Sequence, residues 1–291
     1  MRLLATDVDG TIVGPDLVVS SRTAAAFAAA HRAGVRTVLV TGRPKRWMPE
    51  VVRALGWVDA LVLANGAVSY GLPSGTLDGS EQLLECRTID PDDVVDWAVR
   101  VRAKAPGVAF GLERPGGFGA EPGYEAPVGT PAMTIGSIPE LLAQDPAVVK
   151  ILARVPARLA AGAAEFPGDV LLRAARSALG PRVAPVHSNR RKALVEIGPP
   201  GVDKGTGLAA VAAAFGVDRR DVVAFGDMPN DVSMLDWAGT SFAMADGHPE
   251  ALAAASGTAA ACDRDGVAGA IENLLAGSAA ATGSSEEAVG P

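Results

Sequence analysis

The sequence has little of what secreted, membrane-spanning or nucleic-acid-binding proteins need. Cys86 and Cys262 are the two cysteines among 291 residues, and their separation fits neither a disulfide framework nor a metal-ligand spacing. No apolar run approaches the roughly 18 residues of a membrane span, and Asp7 interrupts the first apolar run too early for an export signal. With a net charge of −7, the chain has no overall basic character with which to displace the counterions of nucleic acids. We therefore expect a cytoplasmic protein with neither nucleic-acid nor membrane partners.

Several common enzyme signatures are also missing. The chain contains neither the G-x-S-x-G of serine hydrolases nor the H-E-x-x-H of zinc proteases. The Lys-Gly-Thr at 204–206 has the wrong order for a phosphate-binding P-loop, and the glycines around 116–123 do not match the dinucleotide fingerprint. The chemistry must therefore come from other residues.

Strand-like and helix-like patterns alternate at both ends of the chain. This alternation predicts crossover units, and hence an α/β fold with a doubly wound, Rossmann-like parallel sheet. The predicted strands are 3–5, 35–40, 60–63 and 222–225, and the main predicted helices are 20–33, 45–55 and 203–215.

The middle of the chain has a different pattern, in which short predicted strands and helices, among them a strand at 183–187 and a helix at 156–165, surround a Gly/Pro-rich stretch. That stretch, at 114–131, predicts a long loop or several turns. We interpret residues 81–197 as an inserted α+β domain and residues 1–80 with 198–276 as the core. Residues 277–291 are rich in Ala, Gly and Ser, which predicts a disordered tail.

Two acidic residues directly follow the first predicted strand, in the segment Asp7-Val8-Asp9-Gly10. In extended backbone the side chains of Asp7 and Asp9 point to the same side. Because ligands bind at the carboxyl ends of the strands in such sheets, these carboxylates suit a divalent cation with oxygen ligands. The pattern also occurs in turns and calcium loops, so it is not decisive alone.

Three further segments lie at the ends of core strands or beside them. Thr41 offers a hydroxyl and Gly42 a backbone N–H after the strand at 35–40, and Lys204 stands at a predicted helix start, where it would hold an anion. Asp227 and Asp231 follow the strand at 222–225. Each alone is equally a capping hydroxyl, a surface lysine or a polar loop, but their joint placement favours one phosphate-binding and metal-binding site.

These segments resemble the ordered motifs of the haloacid dehalogenase superfamily. The matching residues are D-V-D-G-T at 7–11, V-T-G-R at 40–43, K-G at 204–205 and G-D-M-P-N-D at 226–231. The late lysine and the D-G-V-A at 265–268 are similar to the Cof-type sugar-phosphatase branch, which carries its cap domain where this chain has residues 81–197. The position of Asp246, where that branch usually has an asparagine, departs from the pattern.

The resemblance implies a Mg²⁺-dependent phosphatase. Asp7 would be the nucleophile and Asp9 the acid and base, while the catalytic set would also include Thr41 and Lys204. The implied Mg²⁺ ligands are Asp7, Asp9 through its backbone carbonyl, Asp227, and Asp231 either directly or through water. The implied substrate-binding residues are Gly10, Gly42, Arg43 and Asn230. For Arg43, and also for Asn65, contact with substrate and a capping role both stay open.

The expected substrates are small phosphorylated metabolites, with sugar or polyol phosphates as the leading class. Two alternatives remain open at this point: a phosphomutase that returns the phosphoryl group to a sugar, and a non-catalytic protein that binds phosphorylated metabolites. Retention of both Asp7 and Asp9 speaks against the second alternative, because a binding protein needs no such pair. The patterns define neither the physiological substrate nor the choice between monomer and homodimer.

Overall fold

The structure is a computed structural model that describes residues 1–126, 130, 133–156, 165–187 and 191–286. The chain divides into two compact units, which we call the core (Met1–Glu85 and Asp203–Pro291) and the cap (Cys86–Val202). The cap is thus inserted into the core sequence. Both borders of the insertion fall slightly later than the 81–197 inferred from sequence. The first border does so because the strand at Gln82–Cys86 joins the core sheet.

The core contains an eight-stranded sheet with the order β13-β12-β11-β1-β2-β3-β4-β5. The strands from β13 to β3 run parallel to their neighbours, and β4 is antiparallel to β3. This arrangement confirms the predicted parallel α/β core. The strands are β1 Leu3–Thr6, β2 Arg36–Val40, β3 Ala60–Leu63, β4 Val68–Gly71, β5 Gln82–Cys86, β11 Val222–Gly226, β12 Thr240–Met244 and β13 Gly257–Ala259.

The central strands are buried, as expected of a sheet that helices cover. On one face, Leu3, Ala5, Val38 and Val62 share an apolar cluster with residues of three helices that follow the insertion. The core helices are α1 Ser21–Arg32, α2 Pro49–Leu55, α6 Lys204–Ala214, α7 Val232–Trp237, α8 Pro249–Ala254 and α9 Gly266–Glu286.

The cap sheet has five strands in the order β10-β9-β6-β7-β8. An apolar cluster that includes Phe110, Leu112 and Ile151 packs this sheet against its helices. The cap elements are α3 Pro91–Lys104, β6 Ala109–Arg114, β7 Gly117–Ala120, β8 Thr134–Ile135, α4 Ile138–Gln144, β9 Lys150–Arg154, α5 Pro167–Leu179 and β10 Leu194–Ile197.

Two sequence-based expectations differ from the structure. The stretch predicted as a loop from residue 114 contains β7, because Phe118 and Ala120 are buried against β6 and a tight turn joins the two strands. The strand predicted at 183–187 is a single bridge between Val186 and Glu196. The helix predicted at 156–165 lies mostly outside the described residues.

The last helix reaches into the C-terminal segment. Helix α9 spans Gly266–Glu286, and the disordered tail that the sequence predicts from residue 277 stays a prediction, with 287–291 outside the described residues. Ala-rich sequence is a strong helix former and extends the apolar turns that begin at Gly266. Among the described residues, no helix is both long and apolar enough to cross a lipid bilayer.

A tight approach of two core segments positions the start of α6. Ala64, Asn65 and Gly66, directly after β3, have φ values of 52°, 58° and 104°. A Cβ atom on Gly66 would lie 2.0 Å from the carbonyl oxygen of Asp203, and one on Gly207 would lie 2.7 Å from the Gly66 Cα. The two glycines therefore allow the turn after β3 to lie against the first turn of α6.

Replacing Gly66 with alanine tests this contact. We expect Gly66→Ala to lower the free energy of unfolding by about 2–5 kcal/mol, because left-handed strain of about 1–2 kcal/mol adds to overpacking of about 1–3 kcal/mol. Gly34→Ala is the matched control, because Gly34 also has a positive φ but no atom near the added methyl group. Urea unfolding of both variants provides the measurement, and equal losses would contradict the proposed close approach.

Candidate active site

A buried ammonium group lies at the carboxyl edge of the core sheet. The Nζ atom of Lys204 donates hydrogen bonds to Asp7 Oδ1 at 2.7 Å and to Asp231 Oδ1 at 2.5 Å. The side chain of Lys204 is 1% exposed, that of Asp7 6% and that of Asp231 0%. Residues from three distant parts of the sequence thus meet in one buried ionic cluster.

The strand order explains how Asp7 and Asp227 meet. Asp7 follows β1 and Asp227 follows β11, and these two strands are adjacent and parallel. The backbone N–H of Asp7 donates to the carbonyl of Phe225 at 2.9 Å, which extends the ladder to the acidic residue. Neighbouring parallel strands end at the same edge, so both carboxylates emerge side by side.

Lys204 reaches the same point from the start of α6. The Asp203 side chain accepts from the Thr206 N–H at 2.8 Å, and the Thr206 hydroxyl accepts from the Asp203 N–H at 3.0 Å. This capping box begins the helix at Lys204. The Gly205 N–H donates to the Ser233 hydroxyl at 3.1 Å, which ties the first turn of α6 to α7.

Asp231 organises the loop that carries Asp227. Its Oδ2 atom accepts hydrogen bonds from the backbone N–H groups of Asp227 at 3.0 Å and Met228 at 2.9 Å, while Oδ1 faces Lys204. Both of its oxygens are therefore engaged by donors of the protein. A Cβ atom on Gly226 would lie 2.5 Å from the Asp231 Cβ, so only glycine permits this loop to fold back so closely.

Asp227 also contacts the first motif. The Thr11 hydroxyl donates to Asp227 Oδ1 at 3.0 Å. Gly10 has a φ of 84°, and a Cβ atom there would lie 2.3 Å from Asp227 Oδ2. Glycine at position 10 thus leaves room for the carboxylate.

The cluster holds more negative than positive charge. Burial, together with the charge of Asp231, raises the pKa of Asp227 to about 7. Burial raises the pKa of Asp7 as well, against the opposing effect of Lys204. The pKa of Lys204 is raised because Asp231 and Asp7 together outweigh its own burial, so the lysine stays charged. Three carboxylates share one ammonium group, and the excess negative charge favours a further cation.

The donor atoms fit a hard divalent cation. Asp7, Asp227 and Asp231 each offer a carboxylate oxygen, and these oxygens lie within 4.8 Å of one another. Carboxylate oxygens are ligands that Mg²⁺ prefers. The three residues that the resemblance implied as side-chain ligands are therefore brought together.

The side chain of Asp9 points to a different partner. Arg43 Nε donates to Asp9 Oδ2 at 2.7 Å, and Arg43 Nη2 donates to Asp9 Oδ1 at 2.5 Å. The Asp9 side chain is 55% exposed and that of Arg43 16%. The sequence resemblance assigned Arg43 to substrate binding, but here its guanidinium is hydrogen-bonded to Asp9, the residue predicted to act as acid and base.

The remaining predicted residues lie around this cluster in the core. Thr41 is buried at the end of β2, and its Oγ1 accepts from the Arg43 N–H at 3.1 Å. Gly42 lies between these two residues in the loop that follows β2. Asn230 Nδ2 donates to Asn65 Oδ1 at 3.3 Å, which links the loop after β11 to the turn after β3.

Sequence reasoning assigned no role to Thr11 or Ser233, and it left Asn65 undecided between substrate contact and capping. Thr11 contacts Asp227, Ser233 contacts Gly205 and Asn65 contacts Asn230. The Asn-Gly pair at 65–66, directly after a predicted strand, is a turn signal that could have drawn attention to Asn65.

Comparison with known proteins gives consistent results. The family model described as haloacid dehalogenase-like hydrolase matches residues 4–102 and 174–271. The YitU 5-amino-6-(5-phospho-D-ribitylamino)uracil phosphatase of Bacillus subtilis is 27% identical over 285 residues, which cover 91% of this chain and 94% of YitU. The corresponding YbjI phosphatase of Escherichia coli is 36% identical over 103 residues, 35% of this chain and 37% of YbjI.

Solved structures show the same fold. The HAD subclass IIB sugar phosphatase BT4131 superposes with a TM-score of 0.76 at 22% identity, covering 94% of this chain and 99% of that protein. The doubly wound sheet, with clustered carboxylates and a lysine at its carboxyl edge, fits this class of hydrolase. This chain belongs to the haloacid dehalogenase-like hydrolase family.

The charge excess predicts how Mg²⁺ and pH act together on stability. Because the folded-state pKa of Asp227, about 7, lies above its ordinary value of 3.8, the folded protein binds this proton more tightly than the unfolded chain. The metal-free protein should therefore lose stability as the pH rises from about 4 to about 7. Mg²⁺ competes with protons, so we expect it to raise Tm more at pH 8 than at pH 5.

Differential scanning calorimetry with and without Mg²⁺ provides the measurement. Asp227→Asn removes both the charge and a candidate ligand, and it should abolish most of the pH-dependent gain in Tm. Equal gains at both pH values, or no gain at either, would contradict the inferred cation site.

Proposed function

We propose that this protein is a Mg²⁺-dependent phosphatase of small phosphorylated metabolites that works through an aspartyl-phosphate on Asp7. The observation that carries the proposal is the placement of Asp7 beside the buried Lys204 ammonium, within reach of two further carboxylates. Family membership supports phosphoryl chemistry, and the geometry supports Asp7 as the attacking group.

Asp7 suits nucleophilic attack because its orientation is held by Lys204 through Oδ1. In the first step an Asp7 oxygen bonds to phosphorus, the bond between phosphorus and the leaving oxygen breaks, and Asp9 gives that oxygen a proton. Water then attacks phosphorus, Asp9 accepts a proton from it, and the carboxylate of Asp7 is released together with inorganic phosphate. One difficult displacement is thereby divided into two.

Other residues of the edge would hold the phosphoryl oxygens. Thr41 offers its hydroxyl, and Gly42 and Gly10 offer backbone N–H groups on the loops that follow β2 and β1. Lys204 contributes positive charge from a site with little water, where charge acts more strongly than in solvent. Asn230, which already contacts Asn65, would add a hydrogen bond from the loop after β11.

Asp7, Asp227 and the backbone carbonyl of Asp9 would hold Mg²⁺. Asp231 would support the metal chiefly by fixing the Asp227 loop, because donors of the protein already engage both of its oxygens. When bound, the ion supplies positive charge that offsets the charge of the phosphoryl group and of the carboxylates. Its charge would also favour the ionised form of Asp227, opposing the burial and the charge of Asp231 that raise the pKa of this residue.

Sugar or polyol phosphates are the substrate class we favour. YitU and YbjI are phosphatases of 5-amino-6-(5-phospho-D-ribitylamino)uracil, and BT4131 is a sugar phosphatase. Each of these names points to a phosphate ester of a polyhydroxylated carbon chain. A phosphatase and a phosphomutase share the same core residues, so product analysis with a sugar phosphate separates the two.

Substitution of the nucleophile tests the proposal. We expect wild type with Mg²⁺ to hydrolyse p-nitrophenyl phosphate and a sugar phosphate, releasing inorganic phosphate, and Asp7→Asn to lose at least about 10³-fold in kcat because the amide cannot form the acyl-phosphate bond. Rapid quench with radiolabelled substrate should trap label on wild type and not on Asp7→Asn.

Asp236→Asn is the matched control, because Asp236 is an exposed aspartate of α7 in the same unit. It should retain wild-type turnover. Full activity in Asp7→Asn would refute the nucleophile assignment, and an isomerised sugar phosphate without free phosphate would favour the mutase.

A further inference from the structure

An exposed carboxylate that must donate and accept protons needs a fixed orientation. Asp9 lies two residues beyond Asp7, and its side chain is 55% exposed. Solvent alone would leave such a side chain free to rotate, and misplacement of a reacting group by about 1 Å can cost on the order of 10²-fold in rate. Something in the core must therefore hold it.

The guanidinium of Arg43 provides such a constraint. Its Nε and Nη2 atoms contact different oxygens of Asp9, at 2.7 Å and 2.5 Å, so the two planar groups face each other as a fork. Two parallel hydrogen bonds define the plane of the carboxylate as well as its position. A single point charge would define neither.

Arg43 is itself held by its own loop. Its backbone N–H donates to Thr41 Oγ1 at 3.1 Å, and its carbonyl accepts from the Ala64 N–H at 3.2 Å. Its Nη1 atom donates to the carbonyl of Trp47 at 3.4 Å, and its side chain is only 16% exposed. The arginine is therefore more buried than the aspartate that it contacts, and its own loop supplies it with further partners.

We propose that Arg43 is a positioning residue that acts through Asp9, aligning the acid and base between the loops after β1 and β2. This inference rests on the proposed function, because it takes Asp9 to be the proton donor and acceptor. It replaces the role in substrate binding that the sequence resemblance assigned to Arg43. The fork geometry carries the proposal, since both Asp9 oxygens accept from the guanidinium. The form aligned in this way is the ionised carboxylate, which accepts the proton from water in the second step. The protonated acid of the first step keeps the contact through its remaining acceptor oxygen.

Kinetics of Arg43→Ala and Arg43→Lys test the proposal. We expect kcat for p-nitrophenyl phosphate to fall by about 10- to 100-fold in both variants, with KM changed by less than about threefold. Lysine should not restore turnover, because its ammonium keeps the charge but cannot form the fork. Added guanidinium ion should partly restore kcat in Arg43→Ala and not in Arg43→Lys, which a purely structural role would not produce.

Combining variants at Arg43 and Asp9 shows whether Arg43 acts through Asp9 or contacts the substrate independently. In the Asp9→Asn background, Arg43→Ala should lower the single-turnover rate by less than about twofold, because the group it positions is already lost. Arg53→Ala is the matched control, an exposed arginine of α2, and should leave both kcat and KM unchanged.

Three results would overturn the assignment of Arg43. These are a raised KM with kcat retained, full rescue by lysine, and rate losses that multiply in the double variant. They differ from failure of the proposed function, in which wild type itself would show no phosphatase turnover, and which would remove the positioning role together with the reaction.

Discussion

The site depends on one buried ammonium group shared by two carboxylates. Removing Lys204, Asp7 and Asp231 from water carries a large desolvation cost, which is offset only when each charge has close partners. Lys204 meets this condition through its short contacts with both aspartates, and Asp231 meets it further by accepting two backbone N–H groups. The same contacts orient Asp7, hold the Asp227 loop and leave an excess of negative charge that a divalent cation would balance. The orientation of Asp7 and the expected cation site at the carboxyl edge of the core sheet therefore both depend on this buried ionic cluster.

The fold brings these residues together in two different ways. Asp7 and Asp227 need only the adjacency of two parallel strands, since β1 and β11 end together. Lys204 arrives after the chain has left the core at the end of β5 and returned at Asp203. Its position depends on the capping box of α6 and on the close contact of Gly66 and Gly207 beneath it. Without these small residues the helix start would stand further from the sheet, and the lysine would not reach both aspartates.

Much of the core could be predicted from sequence because its signals are local. The alternation of strands and helices indicated the parallel sheet, and the positions of Asp7, Lys204 and Asp227 at element ends indicated one shared edge. The choice of partners could not be predicted, because it depends on side-chain directions and distances that spacing does not define. Examples of such contacts are the hydrogen bond from Lys204 to Asp231 and the paired hydrogen bonds from Arg43 to Asp9. Strand β7 was missed because glycine is a poor strand former, and tertiary packing of Phe118 decides its conformation.

The unfolding free energy of metal-free Lys204→Met at pH 8 measures whether the buried ammonium organises the site. We expect a loss of about 3 kcal/mol or more relative to wild type, because two buried carboxylates would lose their shared counter-charge. Lys104→Met, at an exposed position near the end of α3, sets the baseline for the same side-chain exchange. Stability equal to or greater than that of wild type in Lys204→Met would show that the buried ammonium does not organise the site.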